Sequence, residues 1–111
     1  MLKTDYKFQK TYPLPDIAEN VGETVLFRSL MENNNGGISM LLFRKGQELG
    51  KHIAPAEVLV FAVEGKVEFE FAEHREILNK GDFMLLGVGL AHSVRALENA
   101  RIMLVKLKSD K

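Results

Sequence analysis

The apolar residues of this chain constrain it most by what they do not do. No credible helix shows apolar residues at the 3.6-residue spacing. From Glu23 onward they fall instead in short runs separated by turn residues. The clearest run is 66–71, where Val67, Phe69 and Phe71 alternate with Lys66, Glu68 and Glu70. A period of two places the first three on one face, which is the signature of a half-buried strand. Residues 38–43 and 58–63 are apolar on both faces and predict strands covered on both sides. Further strands are predicted at 24–31, around His52, at 77–78, 83–86, 91–97 and 101–107. Turn signals separate them. The strongest is Asn33-Asn34-Asn35-Gly36-Gly37, because Asn and Gly tolerate positive φ. A loop is predicted at 46–51, a tight turn at Glu64-Gly65, a polar hairpin loop at 73–75 and a turn at 79–82. Gly87-Val88-Gly89 reads as a bend and Glu98-Asn99 as the last turn. Short strands at near-regular spacing predict an all-β domain, and leave sandwich and barrel equally open.

A chain of 111 residues is the usual size of one domain and can bury a core without staples. No linker, repeat or low-complexity segment divides it. Residues 1–22 are the least patterned part and read as an N-terminal arm, with 23–111 as the folded unit. Tyr6, Phe8, Tyr12 and Leu14 give the arm apolar side chains to dock on the sheet or on a partner subunit, and Asp16 is placed to cap one helical turn through Val21. The arm's apolar residues predict a two-fold homodimer.

Fifteen basic and fifteen acidic residues balance to zero net charge. That balance argues against nucleic acid and against an anionic membrane surface as partners. The chain has no cysteine, which excludes disulfides, thiolate metal sites and a thiol nucleophile. The first ten residues lack the apolar core of a secretory signal, and no apolar run reaches the roughly 20 residues that span a bilayer. The expected location is the cytoplasm.

Two stretches carry a more specific signal. Gly46 is followed after five residues by His52, and this stretch closes at Gly65. The second runs from Gly81 through Gly87, Gly89 and His92 to Ala96. Their spacing resembles the two signature motifs of the cupins, which are small β-barrels of the double-stranded β-helix or jelly-roll type. Gly87 stands where the second motif has proline, and Ala96 where it has asparagine. The resemblance covers roughly residues 38–107 and implies a small, single-domain, RmlC-like cupin barrel of the cupin-2 type, with the arm appended.

The resemblance also implies a place for chemistry. In metal-binding cupins a His-x-His pair, a glutamate and a second-motif histidine converge inside the barrel. Here His52 and His92 occupy the first and last positions, and Ala54 replaces the second histidine. Val58 stands in strict register for the glutamate, with Glu57 one residue away. A one-residue shift turns a side chain to the other face of a strand. Glu57 therefore joins the site only if a bulge or the Pro55 bend resets the register. The expected metal ligands are His52 and His92, with Glu57 as the weak third, for one divalent iron, manganese, nickel or zinc ion. The expected pocket wall is His52, Ala54, Val58, Val60, Met84, His92 and Val94.

Three functions fit these residues. The first is a small cupin binding a small organic molecule beside His52 and His92, with a near-neutral imidazole as the proton carrier. The second is a metal-dependent dioxygenase or isomerase, against which Ala54 counts. The third is a non-catalytic ligand sensor. His74, between Glu73 and Arg75 in the predicted hairpin loop, reads as a surface residue. Ser93 and Arg95 have the wrong parity to share a face with His92. The same two histidines could equally be interior residues that do no more than satisfy their own hydrogen bonds.

Overall fold

The structure is a computed structural model that describes residues 1–14 and 22–108. The expected helical turn from Asp16 to Val21 falls outside them. The described residues form nine strands: β1 (Leu26–Asn33), β2 (Gly36–Phe43), β3 (Glu48–Ile53), β4 (Glu57–Glu64), β5 (Lys66–Glu70), β6 (Arg75–Asn79), β7 (Phe83–Leu86), β8 (Ala91–Ala96) and β9 (Ala100–Leu107). All the turn signals recur between strands, with two refinements. β1 and β2 extend into the Asn-Gly run, so that only Asn34 and Asn35 remain as the hairpin loop. β3 begins at Glu48, within the stretch predicted as loop.

Two sheets face each other. One has the order β1-β2-β9-β4-β7 and the other β3-β8-β5-β6, all antiparallel. Only the β1–β2 and β5–β6 connections stay within one sheet. Every other loop carries the chain across to the opposite sheet, which is the winding of a jelly roll. The two sheets do not close into the expected barrel. Each ladder ends at its own edge strands, and the loops cross between layers without extending the hydrogen-bonded ladder.

Alternation explains which residues fill the space between the sheets. Val58, Val60 and Ala62 of β4 face inward, and Leu59 and Phe61 face out. Phe43 of β2, Ile102 and Ala100 of β9, Val67 and Phe69 of β5, Leu78 of β6, Leu86 of β7, and Val94 and Ala96 of β8 complete the core. Burying a side chain such as Val60 or Ile102 stabilises the fold by about 1.5–3 kcal/mol. Met40 is fully buried on β2 but outside this cluster, on the face opposite Leu41.

The turn between β6 and β7 is sewn to β4. Asp82 accepts the Asn79 amide through its carboxylate, while Gly81 N–H donates to Ala62 O and Ala62 N–H to Asp82 O. Gly65, between β4 and β5, has φ of 79°, and a Cβ there would lie 2.1 Å from the Asn99 carbonyl oxygen. Only glycine fits that approach. The arm lies along the edge strand of its own chain. Lys3 pairs with Glu32 as an antiparallel bridge, and the Thr4 hydroxyl donates to Leu30 O. Among the described residues no helix is long and apolar enough to cross a membrane.

Candidate functional site

His52 and His92 meet as direct register partners across β3 and β8. Strand alternation alone would not place both Leu49 and His52 on the inner face of β3. A bulge between them shifts the register, so that Leu49 pairs with Val94 and His52 with His92; both border the space between the sheets, with His52 at its exposed rim. The ring centroids are 4.2 Å apart at an interplanar angle of 62°. Phe69 packs 5.9 Å from the His92 ring.

Each imidazole is pinned in the same way. His52 Nδ1 lies 2.9 Å from Gly50 O, and His92 Nδ1 lies 3.0 Å from Leu90 O. A carbonyl only accepts, so each Nδ1 carries the proton and donates it. In the neutral ring this leaves Nε2 as a bare lone pair. Burial holds the His92 pKa below the ordinary 6.5, and the neighbouring His52 lowers it further, against the raising effect of the Leu90 carbonyl. At neutral pH His92 is therefore an uncharged hydrogen-bond acceptor.

The two rings border a cavity of about 90 Å³ between the sheets. Its wall takes in Ala54, Val58, Val60 and Val94 together with Leu41, Leu49, Phe69, Leu86 and Leu104. Lys106 is its third polar group. Met84, expected in this wall, packs against the core beside its partner Val60 and does not border the cavity, whereas Leu86 two residues along the same strand does. Lys106 and the leucines lay outside the motif reading. The signal for Lys106 was present in β9, where it shares alternation with Ile102 and Leu104.

Glu57 does not join the histidines. It is exposed at the start of β4, on the face opposite Val58, and no bulge intervenes between the two. Neither the Pro55 bend nor the β4 irregularity between Ala62 and Glu64 changes that parity. Among the described residues no three His, Asp or Glu side chains are grouped to hold a metal ion. The donor set of a cupin metal centre is thus not present: Ala54 and Val58 fill two of its four positions with methyl groups.

His74 lies on the surface, 3.3 Å from Glu76 and stacked on Phe71 at 5.0 Å. Ser93 and Arg95 face away from the cavity, toward Glu70 and Glu68.

No protein-family model matches the chain, and no curated protein matches it in sequence. Solved structures do match its fold. A cupin superfamily protein from Desulfitobacterium hafniense superposes with a TM-score of 0.87 at 17% identity, covering 98% of this chain and 99% of the other. A conserved protein of unknown function from Streptococcus pyogenes gives 0.85 at 23% identity, over 97% and 95%. An RmlC-like cupin from Shewanella frigidimarina gives 0.76 at 15% identity, over 99% and 96%. The chain has the cupin fold, in its small RmlC-like, double-stranded β-helix form.

Proposed function

We propose that this protein binds a small organic molecule in the cavity beside His52 and His92 and presents it with a neutral imidazole as proton acceptor, without a metal ion. The observation that carries the reading is the paired Nδ1 hydrogen bonds to Gly50 and Leu90, which leave both Nε2 lone pairs free at the wall of an apolar cavity. An apolar wall with few convergent polar groups is the usual makeup of a ligand site. A volume of about 90 Å³ is well below the roughly 300–1,000 Å³ of drug-sized pockets, so the ligand has few carbons. An acceptor in low-dielectric surroundings takes a hydrogen bond from a ligand hydroxyl or enol, and can remove its proton.

The donor set speaks against the dioxygenase or isomerase reading, because two imidazoles without a carboxylate fall short of a two-histidine, one-carboxylate centre. The homodimer has its support on the other face of the larger sheet. Phe83 and Leu85 on edge strand β7 are 64% and 67% exposed, and continue an apolar face through Phe61 and Leu59. Such a face suits pairing with a second copy.

The test is a titration of small hydroxylated fragments followed by ¹⁵N chemical shifts of the imidazoles. Binding moves the Nε2 signals of His52 and His92 toward the hydrogen-bonded range, and His92→Phe abolishes the response. If fragments bind elsewhere, or bind with both Nε2 signals unmoved, the reading fails. A parallel titration with nickel or zinc that gives stoichiometric binding would restore the metal reading.

A further inference from the structure

Lys106 has an unusual position. It sits on β9, the middle strand of the larger sheet, between Gly37 of β2 and Val58 of β4. Alternation with Ile102 and Leu104 points its side chain at the interior. An ammonium there is costly unless it reaches water or an anion. The four ion pairs among the described residues involve His74, Arg75, Lys80 and Arg95, so Lys106 has no carboxylate partner among them.

The side chain borders two cavities at once. One is the histidine cavity. The other, about 480 Å³, lies under the inner face of β1 and β2, and also has Pro55 in common with the first. Ser29 and Ser39, register partners across β1 and β2, face this second space, and Ser39 is buried. Lys108 and Glu32 border it too. The two spaces together therefore have an apolar end with the two imidazoles and a cationic, hydroxyl-lined end, joined at Lys106.

We propose that the ligand is a small carboxylate with an alkyl or aryl body, its carboxylate held by Lys106 and its body in the histidine cavity. This rests on the cavity being a ligand site. The charge count selects a monoanion. Two lysines against Glu32 leave one net positive charge at the polar end, which a single carboxylate neutralises. A phosphate dianion would meet the Glu32 carboxylate uncompensated. Ser29 and Ser39 supply hydroxyl donors for the second carboxylate oxygen. His92, held neutral by burial, offers no rival cationic site.

The experiment follows binding by thermal shift and by amide chemical shifts. Its probes are isovalerate and benzoate, the neutral amides of both, and phenyl phosphate, each against wild type, Lys106→Met and Lys106→Arg. Both variants keep the side-chain stem, and their own melting curves report folding. The carboxylates are expected to bind wild type at least about tenfold more tightly than the amides, the scale of one charge-assisted hydrogen bond. Lys106→Met should remove that advantage and leave the amides unaffected, and Lys106→Arg should restore part of it. Equal binding of acid and amide, or unchanged carboxylate binding in Lys106→Met, overturns the anion assignment while leaving the cavity reading intact. Tighter binding of phenyl phosphate overturns the monoanion class. If neither acids nor amides perturb the cavity residues, the cavity reading itself falls.

Discussion

Replacing Val58 with glutamate should complete a three-ligand set that the described residues do not hold. Val58, not Glu57, faces the histidines, and it is 7% exposed. Val58→Glu first costs stability. It forfeits about 1.5–2 kcal/mol of valine burial. It also leaves a carboxyl group short of partners, at about 1–3 kcal/mol. The sum is about 3–5 kcal/mol, or a fall in Tm of about 12–20 °C at near 4 °C per kcal/mol for a chain of this size. A divalent ion then finds two imidazoles and a carboxylate on one wall. At a metal concentration a hundred times Kd, binding returns about 2.7 kcal/mol, near 10 °C. The assay is thermal unfolding of wild type, Val58→Glu and Glu57→Gln, each with and without nickel or zinc. Only Val58→Glu should gain Tm with metal. The register argument is refuted if wild type gains as much and Glu57→Gln loses it, since that would place Glu57 at the site.

Three shorter predictions concern the rest of the molecule. The folded-state pKa of His92 lies below its unfolded value near 6.5, so its neutral burial contributes stability above that pH, which is lost as pH falls through the folded pKa. Denaturant melts between pH 7.5 and 5 should show that decline in wild type and a flatter profile in His92→Phe. Gly65→Ala combines a left-handed φ with a 2.1 Å overlap on Asn99 O and should cost about 2–4 kcal/mol. Gly81→Ala has the same sign of φ but open space around it and should cost only about 1 kcal/mol in urea unfolding. Leu85→Lys, on the exposed apolar face, should convert a dimer to monomer in sedimentation with little change in helix-free circular dichroism. A wild type that sediments only as monomer at micromolar concentration would remove the dimer.

The strands were legible because this chain alternates where one face is buried and runs apolar where both are. β5 and β4 show the two cases. The positions of the turns were legible too, because Gly65 and Gly81 take left-handed φ values open to few other residues. Closure was not legible, since whether two sheets join depends on ladders between distant strands and leaves no local pattern. The inward direction of β3 was equally hidden. The bulge after Leu49 sets the face of His52, and nothing in Glu-Leu-Gly-Lys-His announces it beyond a glycine. Lys106 escaped notice for a different reason. A lysine at the end of an apolar run reads as the strand leaving the core, and only the pairing of β9 between β2 and β4 shows it in the middle of a sheet.

These particulars bear on what the fold is used for here. One architecture hosts many chemistries, and the side chains at a few inward positions decide among them. Ala54 and Val58 remove two donors and extend the hydrophobic wall by the same substitutions. The two remaining imidazoles spend their only proton-bearing nitrogen on backbone carbonyls, which makes each a one-sided acceptor. Lys106 borders the same cavity and adds a cationic group to its lining. An apolar wall, acceptors at one end and a cation at the other all act in the same direction. They suit the organic anion proposed above better than a metal ion that needs three protein donors.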